Sequence, residues 1–256
     1  MCTRGTDVQR RLRGLLVMLA LGWAAAVSAD PVLKLVSRSG AGSAAGASQY
    51  PLFGPDGRSV LYGSTATSFS ALAARGDLLF NDLWRFNFED NPWSEVAWKP
   101  VSAARGGVRA DGDSGDASFS PDGRYVAFTS EATNLVDPPA PAGGLYLRDT
   151  IADITTRVAV NGVYPNAPCY RPRWAGNGTL TFVTTATNLG YPHPGKRFYR
   201  YDPLTGNATY LPLTPNPDQT PDAIHTVRRS LNGRFLCFNA IANFLGASDG
   251  LAHCYL

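Results

Sequence analysis

The sequence predicts an all-β fold: a β-propeller of four-stranded antiparallel blades, four in number, with an N-terminal strand closing the last blade. Three observations predict it. A pattern of about a dozen residues is written four times, its turn glycines recur at near-constant spacing, and no helical periodicity runs between the copies. The copies are FGPDGRSVLYGS from Phe53, FSPDGRYVAFTS from Phe119, WAGNGTLTFVTT from Trp174 and SLNGRFLCFNA from Ser230. Their glycines, Gly57, Gly123, Gly178 and Gly233, stand 66, 55 and 55 residues apart. A sandwich of two sheets also suits an all-β chain, but it predicts no such period.

Each copy reads as strands. Pro-Asp-Gly and Asn-Gly are tight-turn sequences in which glycine supplies the positive φ that a hairpin demands. In the second copy DASFS leads into the turn and RYVAFTS leads out, followed by GLYLRD and ADITTRVAV. The third copy keeps this order as CYRPRW, TLTFVTT, RFYRYD and NATYLPL. Repeats therefore span about 45–105, 115–160, 166–214 and 224–256. The last stops at HCYL, where a third strand ends, whereas VLKLVSR at residues 32–38 precedes the first repeat as an orphan fourth strand. Pairing of residues 32–37 beside residues 252–256 closes the ring and leaves no open edge between first and last blades. The alternative is that the chain is a piece of a longer ring.

The turn FSPDGRYVAFTS resembles the signature of the TolB-type, WD-like β-propeller repeats of exported bacterial proteins, and SEATNLV with LYLRD…TTRV is similar to one extracellular subgroup of them. The resemblance covers about residues 45–256 and is most specific over residues 123–160. It implies a propeller fold. The α/β domain that precedes the propeller in TolB has no counterpart in the roughly 20 residues before the first repeat, so a role in the Tol system does not carry over. Some subgroup members have an acidic Gly-Asp-x-Asn-Gly loop after ATNLV. Here VDPPAPAGG keeps only Asp137, which argues against calcium.

Residues 1–29 have the composition of a secretory signal peptide: Arg4, Arg10, Arg11 and Arg13, then the apolar run LLVMLALGWAAAV, then Val27-Ser28-Ala29. The run is shorter than the roughly 18 to 20 residues a membrane span needs. Arg10-Arg11 hints at a twin-arginine route, but the surrounding residues favour ordinary export. Cleavage after Ala29 leaves residues 30–256 periplasmic or secreted, with no transmembrane segment. It removes four of 23 Lys and Arg and one of 20 Asp and Glu, leaving 19 of each. A mature chain without net charge gives no footing for nucleic-acid binding.

Catalytic patterns are sparse. His193, His225 and His253 are scattered, without metal-ligand spacing, and there is no nucleophile elbow or phosphate-binding glycine loop. No metal or cofactor is expected. Asp111, Asp113 and Asp116 cluster in RADGDSGD, a solvated inter-blade loop. Strand alternation predicts that Trp84, Phe86 and Phe88 form a buried face, whereas Trp93, beside Asn91-Pro92, is the better candidate for surface contact. Cys237 and Cys254, on neighbouring strands, are candidates for a disulfide in an oxidising compartment, leaving Cys169 a buried thiol.

The same alternation in the inner strands separates Phe53, Phe119 and Trp174 from a set facing the central channel. That set comprises Tyr50 and Leu52, Asp116 and Ser118, Arg171 and Arg173, and Thr226 and Arg228. Three arginines at one opening favour an anionic ligand, such as a carboxylate, phosphate or acidic sugar. The simpler alternative pairs them with Asp116 and loop acids. The expected function is a non-enzymatic module that binds a protein, carbohydrate or anionic ligand. A periplasmic hydrolase or lyase acting on polysaccharide or cell-wall material is the second reading, and a remnant of a larger propeller the third.

Overall fold

The computed structural model describes residues 38–39, 42–43, 46–66, 82–87, 98–190, 195–212, 223–230, 234–241 and 253–255. The signal segment, the closing strand expected at 32–37, Phe88, Trp93 and His193 lie outside the described residues. No described helix is long and apolar enough to cross a membrane.

A short ribbon pairs β1 (Arg38–Ser39) with β2 (Gly42–Ser43). Four antiparallel sheets follow in chain order. The first holds β3 (Ser48–Phe53), β4 (Ser59–Ser64), β5 (Asp82–Asn87) and β6 (Trp98–Pro100). The second holds β7 (Ser114–Phe119), β8 (Tyr125–Ser130), β9 (Gly144–Asp149) and β10 (Ile154–Arg157). The third holds β11 (Cys169–Trp174), β12 (Leu180–Thr184), β13 (Arg197–Asp202) and β14 (Asn207–Leu211). The fourth holds β15 (Ala223–Arg229), β16 (Leu236–Ile241) and β17 (His253–Tyr255). Every strand pairs with its sequence neighbour, and β11 lies against β7 on one side and β15 on the other. The first strands β7, β11 and β15 thus lie side by side, the first sheet meets β7 through β4 and β5, and the sheets stack in series. Among the described residues, no strand pairs the free side of β17.

The repeated dozen residues have a physical reason at every step. Gly57, Gly123 and Gly178 adopt φ of 64°, 71° and 77°, and each donates its N–H to the carbonyl three residues earlier. The residue before each glycine caps the same turn. Asp56 accepts from the Arg58 N–H at 3.0 Å, Asp122 from Arg124 at 3.1 Å and Asn177 from Thr179 at 3.2 Å. At the far end of the second strand, Ser64, Ser130 and Thr184 each donate to an upstream carbonyl and accept the N–H two residues on. The Thr-Asn that follows is a clamp. Asn134 accepts the Asp111 N–H and donates to the Arg109 carbonyl, and Asn188 does the same with Asn166 and Tyr164. The second and third repeats therefore each write their own turn, strand end and clamp, and the first writes its own turn and strand end.

Among the described residues, three apolar cores lie between the sheets. Leu61, Leu83, Phe119 and Phe128 join the first to the second, and Leu145, Leu180, Phe182 and Tyr199 join the second to the third. Val183, Phe198, Val227 and Phe238 join the third to the fourth. Trp84 and Phe86 are buried, as alternation along β5 predicts. The face of the first sheet is different: β3 is exposed throughout, with Phe53 at 69% where its counterpart Phe119 is at 8%. Phe119 has the preceding sheet against it, with the Arg85 guanidinium 5.8 Å from its ring centre.

The expected Cys237–Cys254 bond is not formed; both cysteines are free. Register explains this, because Cys254 lies opposite Asn239 and Cys237 opposite Arg228. A diagonal pair, with Cα atoms about 7–8 Å apart, is beyond the reach of a disulfide. Cys169 is buried, as expected, and burial pushes its thiol up to about 11.

Candidate functional site at the inner strands

Strict alternation fails in the inner strands for a reason that recurs. The register shifts between Gln49 and Leu52, Gly115 and Ser118, Tyr170 and Arg173, and Ile224 and Thr226. Each is a β-bulge, which inserts a residue and re-aims the side chains around it. In three sheets a non-glycine residue at this bulge holds a left-handed φ: Tyr50 at 56°, Asp116 at 50° and Arg171 at 51°. Such conformations cost about 1–3 kcal/mol each and persist only where the surroundings enforce them.

The bulges divide the expected channel set. Asp116 and Arg171, about two-thirds buried, form an ion pair at 3.9 Å, and the Arg171 backbone N–H donates to the Asp116 carboxylate at 3.1 Å. Both line a cavity of about 260 Å³ together with Tyr170, Val183 and Lys196. Tyr50 occupies the equivalent bulge of the first sheet, is 76% exposed and does not line this cavity. Ser118 is buried instead of facing the channel, and its Oγ accepts the Trp174 N–H at 3.3 Å, fastening the second sheet to the third.

Arg173 turns toward the fourth sheet. Its Nε donates to the Val227 carbonyl at 3.2 Å and its Nη1 to the Pro172 carbonyl at 2.7 Å. Exposed Arg228 donates to the same Val227 carbonyl at 3.1 Å. Burial pulls the Arg173 guanidinium below its ordinary value; Asp116 opposes this, while Arg228 and Arg171 add to it. Two cations, Arg171 and Lys196, thus line the cavity with Asp116, and Arg173 lies within electrostatic reach of Asp116, Arg171 and Arg228. Arg171, Arg173 and Arg228 belong to the expected channel set, and Lys196 does not. Lys196 immediately precedes β13, where neither the repeat nor strand alternation marks it. Of Thr226 and His225 only the backbone is described.

The other acidic candidates act locally. Asp111 accepts the Thr133 N–H at 2.6 Å and its hydroxyl at 2.7 Å, and these bonds lower its pKa against the effect of burial. Among the described residues, no group of three or more His, Cys, Asp or Glu is placed to hold a metal ion.

No family model matches the chain, and no curated protein matches it in sequence. Solved structures do match. TolB from Acinetobacter baumannii is 15% identical with a TM-score of 0.48, covering 82% of this chain and 43% of that one. Oligogalacturonate lyase in complex with manganese is 15% identical with a TM-score of 0.48, covering 81% and 52%. Tricorn protease is 8% identical with a TM-score of 0.47, covering 87% and 22%. With repeated antiparallel sheets packed in series and β7, β11 and β15 side by side, the architecture is decided. The chain is a β-propeller. The propeller spans about half or less of the length of the structures named. Its four sheets are its blades, and the bulged β3, β7, β11 and β15 are their inner strands.

Proposed function

We propose that the propeller acts outside the cytoplasm as a binding module, taking an anionic group at the bulged rim of its inner strands. The observation that carries this reading is the cavity lined by Arg171, Lys196 and Asp116, with the Arg173 guanidinium within electrostatic reach of Asp116, Arg171 and Arg228. Planar guanidinium groups donate in pairs to carboxylates and phosphates, and neighbouring cations held together leave an excess of positive potential for an incoming anion. The bulge supports the reading as well. It places Asp116 and Arg171 at positions where a regular strand aims different side chains, at a cost in backbone strain. Propellers carry function in such rims while the blades stay rigid.

The test is calorimetric titration of the chain with glucuronate, citrate and inorganic phosphate. Joint replacement Arg171→Ala, Arg173→Ala and Arg228→Ala is expected to weaken the anion that binds by about a thousandfold or more, since each charge-assisted bond contributes about 1.5–3 kcal/mol. Arg228→Ala alone, at an exposed position, is expected to weaken it about tenfold without changing the melting temperature. Unchanged binding of every anion by the triple variant, or no binding by the native chain at millimolar concentrations, sinks the reading.

A further inference from the structure

A second cavity, of about 650 Å³, lies at the outer rim of the second blade, away from the inner strands. One wall is the outermost strand β10, and another is the loop carrying Asn134 through Pro141. That loop makes an apolar surface of Leu135, Val136, Pro138, Pro139 and Pro141, and Ile154 extends it along the strand. Two cations, Arg105 and Arg157, and one exposed acid, Asp137, complete the charged lining.

Arg157 is the unusual member. It is half-buried, and among the described residues it makes no ion pair and no side-chain hydrogen bond. Its Nε is enclosed without an acceptor. What accompanies it is the Tyr164 ring, 5.2 Å from guanidinium carbon to ring centre, and Tyr164 also lines the cavity. Three of the neutral polar side chains there, Asn134, Thr155 and Thr156, are already committed. Asn134 clamps the 109–111 segment, Thr155 donates to the Ala103 carbonyl, and the Thr156 hydroxyl points to the Leu147 carbonyl at 3.5 Å. A half-buried cation normally has an anionic or hydrogen-bonding partner. Here the open donors of Arg157 face a space walled by prolines and aliphatic side chains, of a size typical for small-molecule sites.

We propose that this cavity is a second ligand site, taking a carboxylate with an apolar body. The carboxylate accepts from the Arg157 guanidinium, and the apolar body lies along the proline wall and Ile154. With Asn134, Thr155 and Thr156 committed, a sugar ring finds few neutral partners beyond the Tyr164 hydroxyl, whereas an aliphatic or aryl acid needs one cation and an apolar wall. This site shares no residue with the inner-strand cavity, so either can fail without the other.

The experiment is calorimetric titration of the full chain with octanoate, with 3-phenylpropanoate and with octan-1-ol as the uncharged control. An acid is expected to bind at one site, with octan-1-ol at least about tenfold weaker. The aliphatic and aryl arms tell which body the wall prefers. Arg157→Gln is expected to weaken the acid by about tenfold or more, while Arg124→Gln, which removes an exposed arginine elsewhere, leaves it unchanged. Should Arg157→Gln fail to fold, Arg105→Gln and Ile154→Ser carry the test, each expected to lower the affinity measurably. No binding at millimolar acid, octan-1-ol binding as tightly as octanoate, or full affinity in a folded Arg157→Gln, or in Arg105→Gln and Ile154→Ser where Arg157→Gln does not fold, overturns the proposal.

Discussion

Asp82→Ala is expected to cost the propeller about 4 kcal/mol. Asp82 is 2% exposed and Arg109 8%, and the Arg109 Nε donates to the carboxylate at 2.7 Å, with Nη2 donating to the same oxygen. The Ser102 hydroxyl donates to the other oxygen at 3.1 Å. The pair is a latch between blades: Asp82 belongs to the first sheet, whereas Arg109 precedes the second and has its carbonyl held by Asn134. Removing one partner strands the other charge in a desolvated place, which typically costs about 3–5 kcal/mol. The stacking of the guanidinium over Trp84, 5.4 Å from the ring centre, offsets only part of that. For a chain of this size each kcal/mol moves the midpoint by about 2–4 °C, so the melting temperature should fall by about 8–16 °C. Urea unfolding followed by tryptophan fluorescence measures the same loss as a lower midpoint at constant slope. The double variant Asp82→Leu with Arg109→Met, which removes both charges, should recover to within about 1 kcal/mol of the native chain. A loss under about 1 kcal/mol for Asp82→Ala refutes the argument, because the pair then behaves as a solvated surface contact.

The Arg124 guanidinium, hydrogen-bonded to Asp149, holds that carboxyl at about 2, below the ordinary 3.8, with the Ala152 and Ile151 N–H groups helping. A carboxyl depressed in the folded state stabilises above its unfolded pKa and loses that contribution as pH falls. Urea midpoints should therefore drop between about pH 4 and pH 2, and Arg124→Gln should flatten the drop. With its thiol pushed up to about 11, Cys169 should resist iodoacetamide at pH 8 in the folded chain, while exposed Cys254 is alkylated; mass spectrometry of native and urea-treated samples reads both. Gly57→Ala should cost about 1–2 kcal/mol from left-handed strain alone, since its Cβ meets nothing within 4 Å. Gly123→Ala should cost more, because its Cβ also lies 3.3 Å from Pro55 Cγ; equal losses in thermal melts would refute that contact.

Much of the blade was legible because the repeat spells out main-chain needs. A turn glycine, a capping Asp or Asn, a strand-end hydroxyl and a clamping Asn each satisfy specific backbone groups, so the same residues recur wherever the backbone does. The strands CYRPRW, RFYRYD and GLYLRD match β11, β13 and β9 residue for residue. The cysteine pair was not legible, since neighbouring strands say nothing of register, and a shift of two residues decides whether sulfurs meet. Nor was Lys196, which reaches the site from just before β13, or Arg157, whose unmatched Nε appears only once its surroundings are packed.

The inner strands show why a site is harder to read than its scaffold. Alternation assumes one residue against one, and it placed Ser118 and Arg173 beside Asp116 and Arg171 on the channel side. The bulge puts two residues against one, so the members of each pair part company: Ser118 fastens the third blade, and Arg173 reaches for the fourth. Glycine marks left-handed turns in a sequence, but here Tyr50, Asp116 and Arg171 hold left-handed φ without it. That absence of glycine is itself informative. If only the bend mattered, glycine would supply it with less strain; side chains kept at this bend contribute something that glycine lacks. In the second and third blades the contribution is visible as the Asp116–Arg171 pair beside the 260 Å³ cavity. Asp116→Gly separates the two roles. It should relieve backbone strain and so leave stability within about 1 kcal/mol, while changing the affinity of the site for anions. If stability falls by several kcal/mol and anion affinity stays fixed, Asp116 serves the fold and not the ligand.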